Sequence, residues 1–220
     1  MVIPRIVVFD LVGTLTKPQR KPETQEKLEF IKTLQREGVR AGPQELEAVV
    51  NYSLFINCPR KRFTSLRELL FDIIRLLGES ASEQILQILS KMLRNAIPEL
   101  RSSTKGILDE LRVFGIMSTV ATDFPMFLTT RMRDDLTGYI EKWYSPTDFG
   151  FPRGHPEFLP RIFEDLRTQP EHTLVVGDDE LLDFHLPKAA GAQVLYVGET
   201  ELTPSVQTIE EIPKYIRELI

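Results

Sequence analysis

The stretch IVVFDLVGTL at residues 6–15 decides the fold of this chain. Its first four residues are apolar and three of them are β-branched, which predicts a buried strand over 6–9. Asp10 ends this strand, and Gly13 suits a tight turn just beyond it. Ligands of open α/β sheets bind beyond the carboxyl ends of the strands, so Asp10 is the first candidate site residue.

The second half of the chain alternates apolar runs with amphipathic segments. Strands are predicted at 116–121, near Trp143, at 173–176 and at 194–197, and a helix at 104–114 precedes the first of them. Strands that alternate with helices imply right-handed crossovers and a parallel sheet. We therefore expect an α/β fold with a doubly wound, Rossmann-like parallel sheet that includes the strand at 6–9.

The intervening stretch contains helical patterns and no convincing strand. Four apolar stripes at helical spacing run through residues 28–34, 46–54, 66–77 and 85–96. A polar segment with two prolines, at about 16–22, precedes them and is predicted to be a linker. The expected organisation is an α/β core formed by 1–15 and 99–220, with an all-α cap inserted at 16–98.

Composition narrows the possible functions. Of the 220 residues 42% are hydrophobic and 27% are charged, which excludes a disordered chain. A formal net charge of -5 provides no basic surface for nucleic acid or an anionic membrane, so neither is an expected partner. No signal peptide or membrane-spanning run is predicted. The single cysteine, Cys58, excludes an internal disulfide and favours the cytoplasm as the setting.

Two further polar residues follow predicted strands. Thr122 comes after the strand at 116–121, and Asp178 comes after the strand at 173–176. The carboxyl ends of parallel strands share one edge of the sheet, so Asp10, Thr122 and Asp178 are expected to converge there.

These motifs, with Arg153 and a second aspartate at Asp183, resemble the four motifs of the haloacid dehalogenase superfamily. The resemblance extends over essentially the whole chain, including a helical cap inserted after the first motif. It implies that Asp10 is a nucleophile that forms an aspartyl-phosphate and that Thr122 donates a hydrogen bond to a phosphoryl oxygen. Arg153 stands where the family has a catalytic lysine, and keeps its positive charge. Thr14, Thr122 and Arg153 are the predicted substrate-binding residues.

The same resemblance implies a magnesium site. Asp10, Asp178, Asp183 and the backbone carbonyl of Val12 are the predicted ligands. Mg²⁺ prefers such hard oxygen ligands.

Val12 departs from the pattern of the family's phosphatases. They carry at this position a second aspartate, which protonates the leaving group and then activates water. Valine cannot carry a proton, so slow cleavage of alkyl phosphates is expected, with aryl or acyl phosphates preferred. Asp123, where the family often has asparagine, is assigned to a loop or capping role rather than to catalysis.

The favoured function is a Mg²⁺-dependent hydrolase, a phosphatase acting on a small phosphorylated metabolite. One alternative is a catalytically degraded family member that acts as a binding or interaction protein, motivated by Val12 and Arg153. Another is a dehalogenase-like or phosphonatase-like hydrolase, since those branches also replace the second aspartate. The intact Gly177-Asp178 pair argues against dehalogenation, and the absence of lysine near Asn51 argues against phosphonate cleavage.

Overall fold

The computed structural model describes residues 2–18 and 24–220. Within them the sheet has six strands, all parallel to their neighbours, in the order β3-β2-β1-β4-β5-β6. The strands are β1 (Ile6–Phe9), β2 (Met117–Ala121), β3 (Lys142–Tyr144), β4 (Thr173–Gly177), β5 (Gln193–Val197) and β6 (Ser205–Val206). The predicted α/β fold with a doubly wound parallel sheet is thus confirmed.

Strand β1 lies at the centre of the sheet and is buried along its whole length. Side chains of a strand alternate between its two faces. Val7 and Phe9 accordingly belong to one apolar cluster, while Ile6 and Val8 belong to another. The chain moves outward from β1 in one direction to β2 and β3, then crosses to β4 on the other side. The loops after β1 and β4 therefore meet at the switch point of the sheet.

Helices cover both faces of this sheet. In the core the helices are α6 (Thr104–Val113), α7 (Thr130–Asp135), α8 (Pro146–Phe149), α9 (Phe158–Leu166), α10 (Leu186–Ala189) and α11 (Ile212–Leu219). Shorter helical turns occupy Pro170–His172, Glu180–His185 and Ile209–Glu211. Leu11–Leu15 forms a turn whose backbone is not helical at Val12 and Gly13.

Helices also form the segment between β1 and α6. They are α1 (Thr24–Arg36), α2 (Pro43–Tyr52), α3 (Cys58–Lys61), α4 (Leu66–Leu76) and α5 (Glu83–Asn95), and their apolar faces share one buried cluster. Ser82 caps α5, because its side chain accepts a hydrogen bond from the backbone N–H of Ile85. A capping box of Ser65 and Glu68 begins α4.

Several details differ from the sequence-based expectation. The stripe through Leu54 does not continue as regular helix, since Ser53–Asn57 forms a wider helical turn that leads into α3. Neither α3 nor the two-residue strand β6 was predicted, because both are too short to give a periodic pattern. Residues 19–22 of the predicted linker lie outside the described residues. The division of the chain at 15/16 and 98/99 stays a prediction.

Among the described residues, every helix is too short or too polar to cross a membrane.

Candidate active site

The predicted site residues come from separate elements around the carboxyl edge of the sheet. Asp10 follows β1, Thr122 follows β2, and Asp178 follows β4. Asp183 lies on the helical turn after Asp178, and Arg153 lies in the loop between α8 and α9. Strands β1 and β4 are paired in parallel up to this edge. The backbone N–H of Asp10 then donates to the carbonyl of Val176 over 2.8 Å.

Arg153 is the cation at the centre of the site. Its Nη1 donates to Oδ1 of Asp10 over 2.6 Å and lies 3.4 Å from Oδ2 of Asp123. Its Nη2 donates to Oδ1 of Asp183. The Arg153 side chain is only 5% exposed, so one buried guanidinium contacts three carboxylates. A planar fork of donors allows this, whereas an ammonium group is a single point charge.

Burial and crowding of like charges raise the pKa values of the carboxyl groups. Burial raises the pKa of Asp10 well above its usual range, and the neighbouring carboxylates add to that rise, although Arg153 opposes it. Burial likewise raises the pKa of Asp183 against the attraction of Arg153. For Arg153 burial favours loss of the proton, but the carboxylates of Asp183 and Asp10 outweigh it and raise the pKa. Arg153 alone therefore does not offset the burial and the mutual repulsion of these carboxyl groups.

Two glycines make room for the carboxylates. A Cβ atom on Gly13, where φ is +91°, would collide with the Asp178 carboxylate. A Cβ atom on Gly177 would collide with the Asp183 carboxylate. Glycine is required at both positions because the acidic side chains lie directly against the backbone.

The two predicted threonines are both buried, and the structure gives them different surroundings. The hydroxyl of Thr14 donates to Oδ1 of Asp178 over 3.1 Å, so Thr14 orients an acidic side chain. The hydroxyl oxygen of Thr122 accepts from the backbone N–H of Phe124 over 3.2 Å. Within the described residues the hydroxyl proton of Thr122 has no acceptor, which suits a donor to a bound anion. Substrate contact by either residue stays a prediction.

The acidic residues fit a divalent cation. Asp10, Asp178 and Asp183 can each offer one carboxylate oxygen, and these three oxygens lie within 4.8 Å of one another. The spaces above Gly13 and Gly177 receive two of these carboxylates. An all-oxygen donor set of this kind suits Mg²⁺. A ligand role for the backbone carbonyl of Val12 stays a prediction.

Arg101 is a residue of the site region that sequence reasoning missed. Its Nε donates to the carbonyls of Thr14 and Thr16, both over 2.9 Å, and its Nη2 donates to the carbonyl of Gly13 over 2.7 Å. Arg101 therefore fixes the turn that follows the candidate nucleophile. No sequence signal marks it, because its partners lie far away along the chain.

Asp123 is the second residue that sequence reasoning underrated. Asp123 lies in the loop after β2, as expected, and its carboxylate in addition faces the guanidinium of Arg153. Burial raises the pKa of Asp123, and Arg153 opposes this rise. Its position directly after Thr122, at the end of a strand, was the available signal.

The cap segment lies close to this edge of the sheet. Val12 packs against both the apolar cluster of the core and that of the cap. Phe55 of the cap contacts Phe124 edge to face, with ring centroids 5.9 Å apart. Arg62, at the end of α3, donates to the carbonyl of Phe149 over 3.3 Å. Asp10, at the same edge, is only 7% exposed.

The sequence matches the haloacid dehalogenase-like hydrolase family over residues 4–191. The chain therefore belongs to this family of hydrolases. Among curated protein sequences, none matches it significantly.

Solved structures share the fold. A 2-haloacid dehalogenase from Pseudomonas syringae pv. tomato superposes with a TM-score of 0.67 at 15% identity, over 99% of this chain and 100% of that chain. A haloacid dehalogenase family enzyme from Bacteroides thetaiotaomicron, a variant in complex with magnesium and inorganic phosphate, gives 0.67 at 14% identity over 91% and 97%. The L-2-haloacid dehalogenase from Xanthobacter autotrophicus with covalently bound chloropropionic acid gives 0.65 at 14% identity over 99% and 100%.

Proposed function

We propose that this hydrolase is a Mg²⁺-dependent phosphatase, which cleaves a small phosphorylated metabolite through an aspartyl-phosphate on Asp10. The observation that carries the proposal is the cluster of Asp10, Asp178 and Asp183, whose oxygens lie within 4.8 Å of one another. A similar fold that holds magnesium and inorganic phosphate supports the same chemistry.

In this reaction Asp10, Arg153 and Thr122 have separate roles. A carboxylate oxygen of Asp10 attacks phosphorus, and water later hydrolyses the acyl phosphate that forms. Arg153, within 2.6 Å of Asp10, offsets the repulsion between the nucleophile and the anionic substrate. Thr122 offers its hydroxyl proton to a phosphoryl oxygen. Mg²⁺, when bound, supplies positive charge to the transferring phosphoryl group.

The cap over the site favours a small molecule as the substrate. Asp10 and Arg153 are both largely buried, which suits a small molecule enclosed beneath the cap. We place the reaction in the cytoplasm, because the one cysteine, Cys58, is a buried free thiol.

A nitrophenyl phosphate assay with and without Mg²⁺ tests the proposal. We expect turnover only with the metal, and none in Asp10→Asn. Asp165→Asn is the matched control, because Asp165 is paired with Lys142 on the surface. Beryllium fluoride should bind the wild type only with Mg²⁺ and should not bind Asp10→Asn. Adduct formation in Asp10→Asn would mean that the nucleophile is another residue.

The ion pairs of Arg153 favour a second candidate, a dehalogenase. They already provide Asp10 and Asp183 with a cation from the protein itself. Halide release from a 2-haloacid in the presence of a chelator tests this candidate. Magnesium-dependent stabilisation with neither phosphate nor halide release would instead support a binding protein.

A further inference from the structure

The proposed phosphatase reaction requires a proton at two moments. The leaving oxygen must gain one when the P–O bond breaks, and the attacking water must lose one when the acyl phosphate is hydrolysed. Val12 stands where related phosphatases place the acid, and its side chain packs into apolar clusters of the core and the cap. The proton therefore requires another carrier at this edge of the sheet.

Asp123 is well placed for that task. Its Oδ2 lies 3.4 Å from the Arg153 nitrogen that also binds Asp10 over 2.6 Å. The two carboxylates thus flank one nitrogen atom, and Thr122 lies next to Asp123 along the chain. The Asp123 side chain is 33% exposed, whereas that of Asp10 is 9% exposed. Asp123 can exchange protons with solvent or a substrate in a way that the deeper groups cannot.

The other carboxylates are committed elsewhere. Asp183 is fully buried and accepts from Arg153 and from the backbone N–H of Asp179. Asp178 is held by Thr14 and belongs to the candidate metal cluster. Oδ1 of Asp179 accepts from the backbone N–H groups of the turn after it. Among the described residues, the only hydrogen-bond partner of Asp123 is Arg153, through one long contact.

We propose that Asp123 is the general acid and general base of this site, in place of the residue that Val12 replaces. In the first step Asp10 bonds to phosphorus, and the P–O bond of the ester breaks. The electron pair of that bond and the proton of Asp123 go to the leaving oxygen, which departs as an alcohol. In the second step water attacks phosphorus and gives its proton to the Asp123 carboxylate. The bond between Asp10 and phosphorus then breaks, Asp10 regains its carboxylate, and inorganic phosphate leaves.

The charges around Asp123 make this proton cycle reasonable. Burial raises the pKa of Asp123, Arg153 lowers it, and the Asp179 carboxylate raises it, with a net rise. Asp123 also acts on the nucleophile, since its carboxylate contributes to the raised pKa of Asp10. A carboxyl group with a raised pKa keeps its proton closer to neutral pH, where the leaving alkoxide needs it.

Asp123→Asn removes the proton and retains an oxygen for the contact with Arg153. The assay compares a nitrophenyl phosphate with an alkyl phosphate, with Mg²⁺ present, because a nitrophenolate leaves without protonation. We expect kcat for the alkyl phosphate to fall by about 10²-fold or more, and kcat for the aryl ester to fall by about 10-fold or less. For the wild type, kcat/KM with the alkyl ester should decrease as pH rises through the pKa of Asp123, and the variant should lack this decrease.

The controls separate a catalytic role from a structural one. Asp165→Asn removes an acid that is 49% exposed and paired with Lys142, and should change neither substrate ratio nor pH profile. Asp123→Glu keeps a proton and should retain more alkyl phosphate turnover than Asp123→Asn.

This inference rests on the proposed phosphatase activity, and the two fail in different ways. Absence of turnover with both esters, and of the beryllium fluoride adduct, would overturn the phosphatase proposal. Aryl turnover by the wild type without alkyl turnover would overturn the role of Asp123 alone. Equal losses on both esters in Asp123→Asn, with an unchanged pH profile, would also overturn that role and make Asp123 only a partner of Arg153.

Discussion

Replacing Arg153 by methionine tests the charge balance of the site. The substitution keeps an apolar stem and removes the guanidinium that contacts Asp10, Asp123 and Asp183. Breaking a buried ion pair by removing one partner costs about 3–5 kcal/mol. For a chain of this size, each kcal/mol lowers Tm by about 2–4 °C. At neutral pH we therefore expect Tm of Arg153→Met to lie about 6–20 °C below that of the wild type.

The loss should depend on pH in a definite direction. Burial already raises the pKa values of Asp10 and Asp183 above those of the unfolded chain, and without Arg153 they rise further. A carboxyl group with a raised pKa binds more protons in the folded state, so the free energy of unfolding falls as pH rises toward that pKa. The difference in Tm between wild type and Arg153→Met should therefore be larger at pH 8 than at pH 5.

Thermal melts at both pH values, with a chelator and with Mg²⁺, provide the measurement. Arg161→Met is the control, since the exposed Arg161 pairs with Glu164 within one helix and contributes about 0.5 kcal/mol or less. Mg²⁺ should restore part of the lost stability in Arg153→Met, because a cation then returns to the carboxylates. An equal loss of Tm at pH 5 and pH 8 would refute the electrostatic explanation.

Three further predictions follow from the site and the cap. Mg²⁺ at about 100 times its Kd should raise Tm of the wild type by about 5–10 °C, and Asp178→Asn should lose most of that shift in a thermal melt. Gly177→Ala should lower Tm and abolish the Mg²⁺-induced rise in Tm, because its Cβ collides with Asp183. The control Gly106→Ala, in open space on a helix, should keep the Mg²⁺-induced rise and leave Tm unchanged or slightly higher. Asp72→Ala should cost about 1.5–3 kcal/mol in urea unfolding, because the buried carboxylate holds four hydrogen-bonding partners in the cap; a smaller loss than Arg161→Met shows would contradict this.

Much of the architecture could be predicted because its signals are local. The run at 6–9 is apolar and β-branched, and it forms β1 with those bounds. The apolar stripes of the cap repeat at helical spacing and become α1, α2, α4 and α5. Elements too short to show a period, such as α3, gave no such signal.

The sequence by itself also determined that Asp10 and Asp178 lie near each other. Each follows a buried strand, and parallel strands end at a common edge, so position along the chain was sufficient. The motif order further predicted a nucleophile at Asp10 and metal ligands at Asp178 and Asp183, and these roles stay predictions. Membership of the hydrolase family is confirmed.

Only the tertiary structure decided how the charges pair. Arg153 and Asp10 are 143 residues apart, and nothing in the spacing shows that one guanidinium contacts three carboxylates. The same holds for Arg101, which binds carbonyls of the turn after β1, and for Asp123, which faces Arg153 rather than a helix end. Side-chain pairing across loops depends on the backbone path of each loop and on which partner burial leaves available. The loop conformations and the available partners are set only when the sheet, the loops and the cap pack together, so no local sequence pattern encodes them.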